Sequence, residues 1–266
     1  MSEKGINKKE LRVGELGYNS NNELMKIIEY NNVHNIMIEF QDEHKAKVNT
    51  SYNAFKNGNV KNPYHLSVCG VGYYGQGKYK ARGKNGKHTE CYKTWKNMIH
   101  RCYDPYYLNK YPTYIDCYVC NEWHNFQNFA KWYEENYYEV DGEIMHLDKD
   151  ILFKGNKVYS SGACLIVPER INLLFVKSNK QRGKYPIGIS YDKINDKLRV
   201  DCHVYENEKR KTKFLGRFPI NDLHIAFNCY KNFKENYIKQ IANEYKNLIP
   251  HKLYEAMYNY KVEIND

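Results

Sequence analysis

Two short apolar runs and a helix, separated by polar turns, fill Met145 to Phe175, and no other stretch of this 266-residue chain leaves so few folding options. The first run ends in the turn Asp148-Lys149-Asp150. A polar loop follows, then Cys164-Leu165-Ile166-Val167, then Pro168 and a short stretch carrying Asn172. Apolar runs of about four residues bounded by turn formers read as strands, and proline suits the opening of a helix. The expectation is a strand–loop–strand–helix piece. His146 and Asp148 are two residues apart on the first strand, so both point to one face.

Further on, Gly188 to Asp192, Lys197 to Tyr205 and Lys211 to Phe218 read as three antiparallel strands, with turns at Asn195-Asp196 and Glu206-Asn207-Glu208. The middle strand alternates: Leu198, Val200, Cys202 and Val204 face one way, and Lys197, Arg199, Asp201 and His203 the other. Its apolar face needs a cover. After Pro219, Leu223, Ala226, Tyr230, Phe233, Tyr237 and Ile241 fall on one helical stripe, which supplies it. Between Lys177 and Arg217 twelve basic residues stand against five acidic ones, an excess of 12 − 5 = +7. Lys193, Lys197, Arg199, Lys211, Lys213 and Arg217 are therefore candidate DNA contacts on the open sheet face, able to reach phosphates or guanine edges in a major groove. The plain alternative is a solvated charged face on an α+β module.

The remaining segments supply supporting elements. Met25 to Tyr30, Asn35 to Phe40 and His44 to Thr50 read as strands, followed by a helix over Ser51 to Lys56 that stops at Asn57-Gly58. They define a small SH3-like β domain over 1–70, preceded by a polar arm and a turn over 1–20. Residues 69–91 are rich in glycine, tyrosine and lysine, which suits either a backbone lying on phosphates or a flexible linker. Tyr92 to Cys102 and His124 to Tyr137 read as helices. The aromatics of the second, Phe126, Phe129, Trp132 and Tyr133, fit one buried stripe rather than a base-stacking platform. The expected domains are 1–70, a helix-bearing ββα domain over 71–180, the sheet-and-helix domain over 181–250, and a terminal extension over 251–266. The fold class is α+β.

A formal charge of +10 points to a polyanionic partner. The polar opening and the absence of any long apolar run make a cytoplasmic, non-membrane protein the expectation. The eight cysteines are then expected to be reduced. Only Cys117 and Cys120 have metal-like spacing. Cys91, Cys102 or His124 would have to complete a zinc site there, and half-buried thiols are the preferred reading.

Two motif sets resemble known families. Trp95 to Cys102 (W-x-x-M-I-x-R-C), Val119 to Trp123, the Phe126/Phe129 pair, Leu147 to Ile151, the Tyr159-Ser160 turn and Asn172 together resemble the HNH-type endonucleases common in phage genomes. Residues 187–245 resemble the APETALA-type DNA-binding domain of plant ethylene-response factors. The markers there are Gly188 to Tyr191, Arg199, Leu215 to Phe218, Ala226 and Tyr230. The first resemblance implies a ββα fold around one divalent metal, usually magnesium, with manganese as a substitute. Asp148 then falls on the metal-ligand position and Asn172 on the terminal-helix position. Lys149 stands where a general-base histidine is expected, and a protonated lysine cannot readily take a proton. His146 is the alternative base. The Asn that braces the loop between the strands is missing from the expected place, which Ser161-Gly162-Ala163 occupies. Three readings follow: a metal-dependent DNA endonuclease acting on double-stranded DNA; a DNA-binding regulator that keeps the scaffold without cutting; and a phage anti-defence protein that binds a host nuclease or its guide RNA.

Overall fold

A computed structural model describes residues 11–176, 184–206 and 209–266. Most of the expected polar arm, the basic residues Lys177, Lys180 and Arg182, and Asn207 and Glu208 of the expected turn lie outside the described residues. The chain divides into two compact units, Met1–Glu135 and Asn136–Asp266. The fold is α+β. Among the described residues no helix is long and apolar enough to cross a membrane.

The first unit begins with a four-stranded antiparallel meander, β1 (Leu16–Tyr18), β2 (Leu24–Asn32), β3 (Asn35–Phe40) and β4 (Lys47–Thr50). Alternation decides its inner face: Met25, Ile27, Ile36, Ile38 and Phe40 are all fully buried against Phe55 of α1 (Tyr52–Lys56). β1 occupies part of the stretch expected to be arm and turn. It is three residues long and pairs Leu16 with Lys26 and Tyr18 with Leu24. Its Gly17 lies under the Phe55 ring, where a Cβ would come within 2.8 Å of a ring carbon.

Helix α2 (Glu90–Tyr103) forms where a helix was expected and buries Trp95, Met98, Ile99 and Cys102 on one face. Thr89 caps it by accepting from the Tyr92 amide. A six-residue helix, α3 (Pro105–Lys110), follows. The helix expected from His124 to Tyr137 is α5 (Phe126–Asn136), and a separate turn of helix, α4 (Asn121–His124), precedes it. The break falls at Asn125, whose extended backbone and side chain cap the second piece at the Gln127 amide. Phe126, Phe129 and Trp132 are buried, so they are core. Part of the glycine-rich stretch is packed against the chain around α5. A Cβ on Gly75 would lie 2.1 Å from Asn125 Oδ1, and one on Gly77 2.3 Å from Gln127 Oε1. The glycines let the backbone press against α5, where Gln127 exchanges hydrogen bonds with Tyr79.

In the second unit β5 (Met145–Asp148) pairs antiparallel with β6 (Leu165–Pro168), and α6 (Glu169–Leu174) follows directly. The basic sheet is β9–β8–β7 in order, formed by β7 (Ile189–Asp192), β8 (Lys197–Glu206) and β9 (Lys209–Phe218). Leu198, Val200, Cys202 and Val204 are buried, in agreement with the alternation. Helix α7 (Leu223–Tyr245) serves both parts. Its Ala226, Phe227 and Tyr230 pack under the sheet, while Tyr237, Ile238, Ile241, Ala242 and Tyr245 pack with Leu165, Val167 and Ile171 of the ββα piece. The segment expected to be an uninformative extension holds α8 (His251–Tyr258), whose fully buried Leu253 and Met257 complete the second cluster, while Val262 enters the first. The expected boundaries at 180 and 250 therefore cut through packed cores.

Candidate functional site

On β5 the buried residue is Leu147, so His146 and Asp148 share the opposite, half-buried face. The Asp148 carboxylate is turned back into its own chain. Its Oδ1 accepts from the amides of Asp150 and Ile151, both at 2.8 Å, an Asx-turn that ends the strand. Burial pushes this carboxyl above its ordinary value, against the two amides, which pull it down. Lys149, only 7% exposed, points into the loop. Its Nζ donates to both oxygens of Asp150 at 2.9 and 2.8 Å and to the Asn156 carbonyl at 2.7 Å. An ammonium has three donors, and these bonds occupy it as a clamp.

The loop has a bracing asparagine after all, seven residues beyond Lys149 rather than beside the second strand. Asn156 Nδ2 donates to the carbonyls of Lys149 and Val158 at 2.8 and 2.7 Å, and its Oδ1 accepts from the Val158 amide at 3.1 Å. Its signal in the sequence is the Gly155-Asn156 dipeptide in a polar loop. Glu169, the first residue of α6, is the other residue that sequence reasoning passed over. Its Oε1 stands 3.7 Å from His146 Nε2, within ion-pair range but beyond a hydrogen bond, and Nε2 is buried with no hydrogen-bond partner among the described residues. Asn172 lies half-buried one turn further along α6.

The resemblance implies a magnesium ion at this hairpin. Such an ion keeps several waters in a near-octahedral shell and takes one or two carboxylates from the protein. Here Asp148 Oδ1 accepts from two backbone amides, and the Lys149 ammonium is clamped next door. Among the described residues, the one set of three His, Cys, Asp or Glu ligand atoms lying mutually within 4.8 Å is elsewhere, at Cys69, His100 and Asp104. Among the described residues no such set gathers at the hairpin. Nor do the cysteines at 117 and 120 gather a third ligand of these types within that distance.

The sheet is arranged differently. Opposite residues in an antiparallel pair share a face, so the register sorts the candidate contacts. Lys213 lies across from Cys202 and Lys211 across from Val204, on the side that packs on α7. Lys213 Nζ sits 5.1 Å from the Phe233 ring centre there. The open side carries Arg199 opposite Arg217, Asp201 opposite Phe214, His203 opposite Thr212 and Tyr205 opposite Arg210. A bulge between Val200 and Asp201 shifts the register between the first two of these pairs. Phe214 is 46% exposed, with the Arg199 and Arg217 guanidiniums 5.3 and 5.1 Å from its ring centre. Arg199 also makes a two-point bond to Asp201 at 2.7 and 3.0 Å, and Arg217 Nε donates to Asp192 at 2.7 Å. Hydrogen bonds from Arg217 and then Asn195 hold the Asp192 carboxyl down at about 2. Lys193 and Lys197 are exposed at the β7–β8 turn.

Compared with known proteins, the chain matches no family model, no curated protein and no solved structure.

Proposed function

We propose that this chain is a double-stranded-DNA-binding protein of the phage or mobile-element HNH type, in which the ββα piece serves as a structural partner rather than as a nuclease. The observation that carries the reading is the open sheet face, where exposed Phe214 lies against the guanidiniums of Arg199 and Arg217. Guanidiniums give two-point contacts to phosphates and to guanine edges, and a phosphate can take the place of their carboxylate partners. The overall charge of +10 supports the same class of partner. The hairpin supports the non-cutting half of the reading, because its lysine and aspartate are engaged within their own loop.

One observation favours the endonuclease reading instead: the buried, unbonded His146 Nε2 facing Glu169, an arrangement in which a histidine could accept a proton. Fluorescence anisotropy with a duplex oligonucleotide across a salt series tests the first reading, and a supercoiled-plasmid assay with Mg²⁺ or Mn²⁺ separates the two. We expect salt-sensitive duplex binding, weakened by about 1–3 kcal/mol in Arg217→Ala, with a salt slope shallower by about 1. No metal-dependent nicking is expected. Nicking that disappears in both Asp148→Ala and His146→Ala would establish the enzyme, and absence of duplex binding at low salt would sink both readings.

A further inference from the structure

We propose that Cys69, His100 and Asp104 form a binding site for a zinc-class divalent ion, which pins the turn before the glycine-rich segment to the junction of α2 and α3. One ligand atom of each residue lies within 4.8 Å of the other two. Ligands around a tetrahedral zinc stand roughly 3.3–3.8 Å apart, given bonds of about 2.0–2.3 Å, so closure needs only a small inward movement of side chains.

Each ligand is aimed by local structure. Asp104 follows the last residue of α2 and precedes Pro105 of α3. Its Oδ1 accepts from the amides of Tyr106 and Tyr107 at 2.9 and 3.1 Å, capping α3, which leaves Oδ2 facing His100. His100, one turn earlier on α2, places Nδ1 2.9 Å from that oxygen. A metal-binding carboxylate oriented by backbone amides is the usual outer-shell arrangement of metal sites. The third ligand is the least expected. Cys69 sits at φ +51°, in the left-handed region that non-glycine residues rarely occupy, within a tight turn closed by the Val68–Gly72 bridge. A His–Asp pair alone would make an ordinary lock at a helix end. It gives no reason to hold a thiol beside the carboxylate by a strained backbone.

The ligand chemistry selects the ion. Thiolate, imidazole and carboxylate together suit zinc and its transition-metal neighbours and disfavour magnesium and calcium. Three protein ligands leave a fourth position for water. On binding, the Cys69 thiol gives its proton to solvent and His100 binds neutral, so affinity falls as pH falls. Burial and the Asp104 charge both hold the thiol protonated in the metal-free chain, which also argues against Cys69 as a free nucleophile.

The test uses the full chain, stripped with chelator and titrated with Zn²⁺ and, separately, Co²⁺. The expected result is one ion per chain, with a near-ultraviolet thiolate-to-cobalt charge-transfer band. Cys69→Ala should abolish that band, and Asp104→Asn, which keeps the helix cap, should weaken binding at least tenfold. Circular dichroism identifies variants that remain folded. A chain that takes up no stoichiometric ion overturns the proposal. So does binding that survives Cys69→Ala in a folded protein, or binding lost only when Cys117 and Cys120 are replaced.

Discussion

In the ββα piece the charged side chains turn inward: Lys149 ties Asp150 to the Asn156 carbonyl, and Asp148 holds two amides of its own turn. In the neighbouring sheet they stay outside: Arg199 and Arg217 stand over exposed Phe214, paired only with carboxylates that solvent also reaches. Both regions rest on the same helix, α7, and both contain the basic and acidic residues that motif reasoning would nominate for function. A side chain consumed by backbone groups builds structure and is costly to redirect. One paired with a carboxylate at the surface has a partner that a phosphate can replace. The comparison teaches that residue type marks a candidate, and that the identity of its present partner decides whether it is available to a ligand.

The largest effect that bears on this contrast should come from the helix the two regions share. Ile241→Ala removes a fully buried side chain under the hairpin and should cost about 3–4 kcal/mol. If α7 is one support, hydrogen exchange in the sheet should rise along with that in the hairpin. A sheet that keeps its full protection while the hairpin opens would show that the two are independent. Next in size is Asn156→Ala, which leaves the Lys149 and Val158 carbonyls and the Val158 amide without their partner. A loss of about 2–3 kcal/mol in denaturant unfolding is expected, with duplex affinity unchanged. A parallel loss of affinity would move the ββα piece into the binding surface.

The smallest effect is a difference in sign between two aspartates. Asp148 has a folded-state value raised by burial, so its neutral form is favoured in the fold, and its unfavourable charge is felt as pH rises above the ordinary 3.8. Asp148→Asn, whose amide oxygen can still accept both backbone bonds, should raise the melting temperature slightly at pH 7 and give no gain below that value. Asp192 is held at about 2 by Arg217 and Asn195, so its contribution is present above the ordinary value and is lost as pH falls from about 4 toward 2. Asp192→Asn should therefore lower the melting temperature at pH 7 and converge with the parent chain in strong acid. Two aspartates with the same sign of response would remove the contrast.

Periodic elements were the legible part of the fold. The strand with Leu198, Val200, Cys202 and Val204 buried, and the stripes of α2 and α7, follow from spacing alone. What escaped was set by contacts distant in sequence. β1 is too short to show a period and exists because Phe55 covers Gly17. The break at Asn125 and the order in the glycine-rich stretch come from one backbone pressing on another. α8 is a short helix after Pro250 whose apolar residues have meaning only beside α7. At the candidate site, spacing put His146 and Asp148 on one face, but it cannot say that Lys149 turns into the loop or that Glu169 returns to His146. The resemblance places the bracing asparagine near the second strand, whereas Asn156 braces the turn nearer the first. Alternation within one strand carries no register, and pairing with β8 puts Lys211 and Lys213 on the side of α7.

A final consequence concerns how such a protein could be cut and recombined. α7 is 23 residues and about 35 Å long, with the sheet on its first half, the hairpin on its second, and Phe233 touching both clusters. A gene segment carrying the sheet strands alone, or the hairpin alone, would be translated without its floor. Exchange at the level of genes can therefore move the pair together but cannot trade one half away.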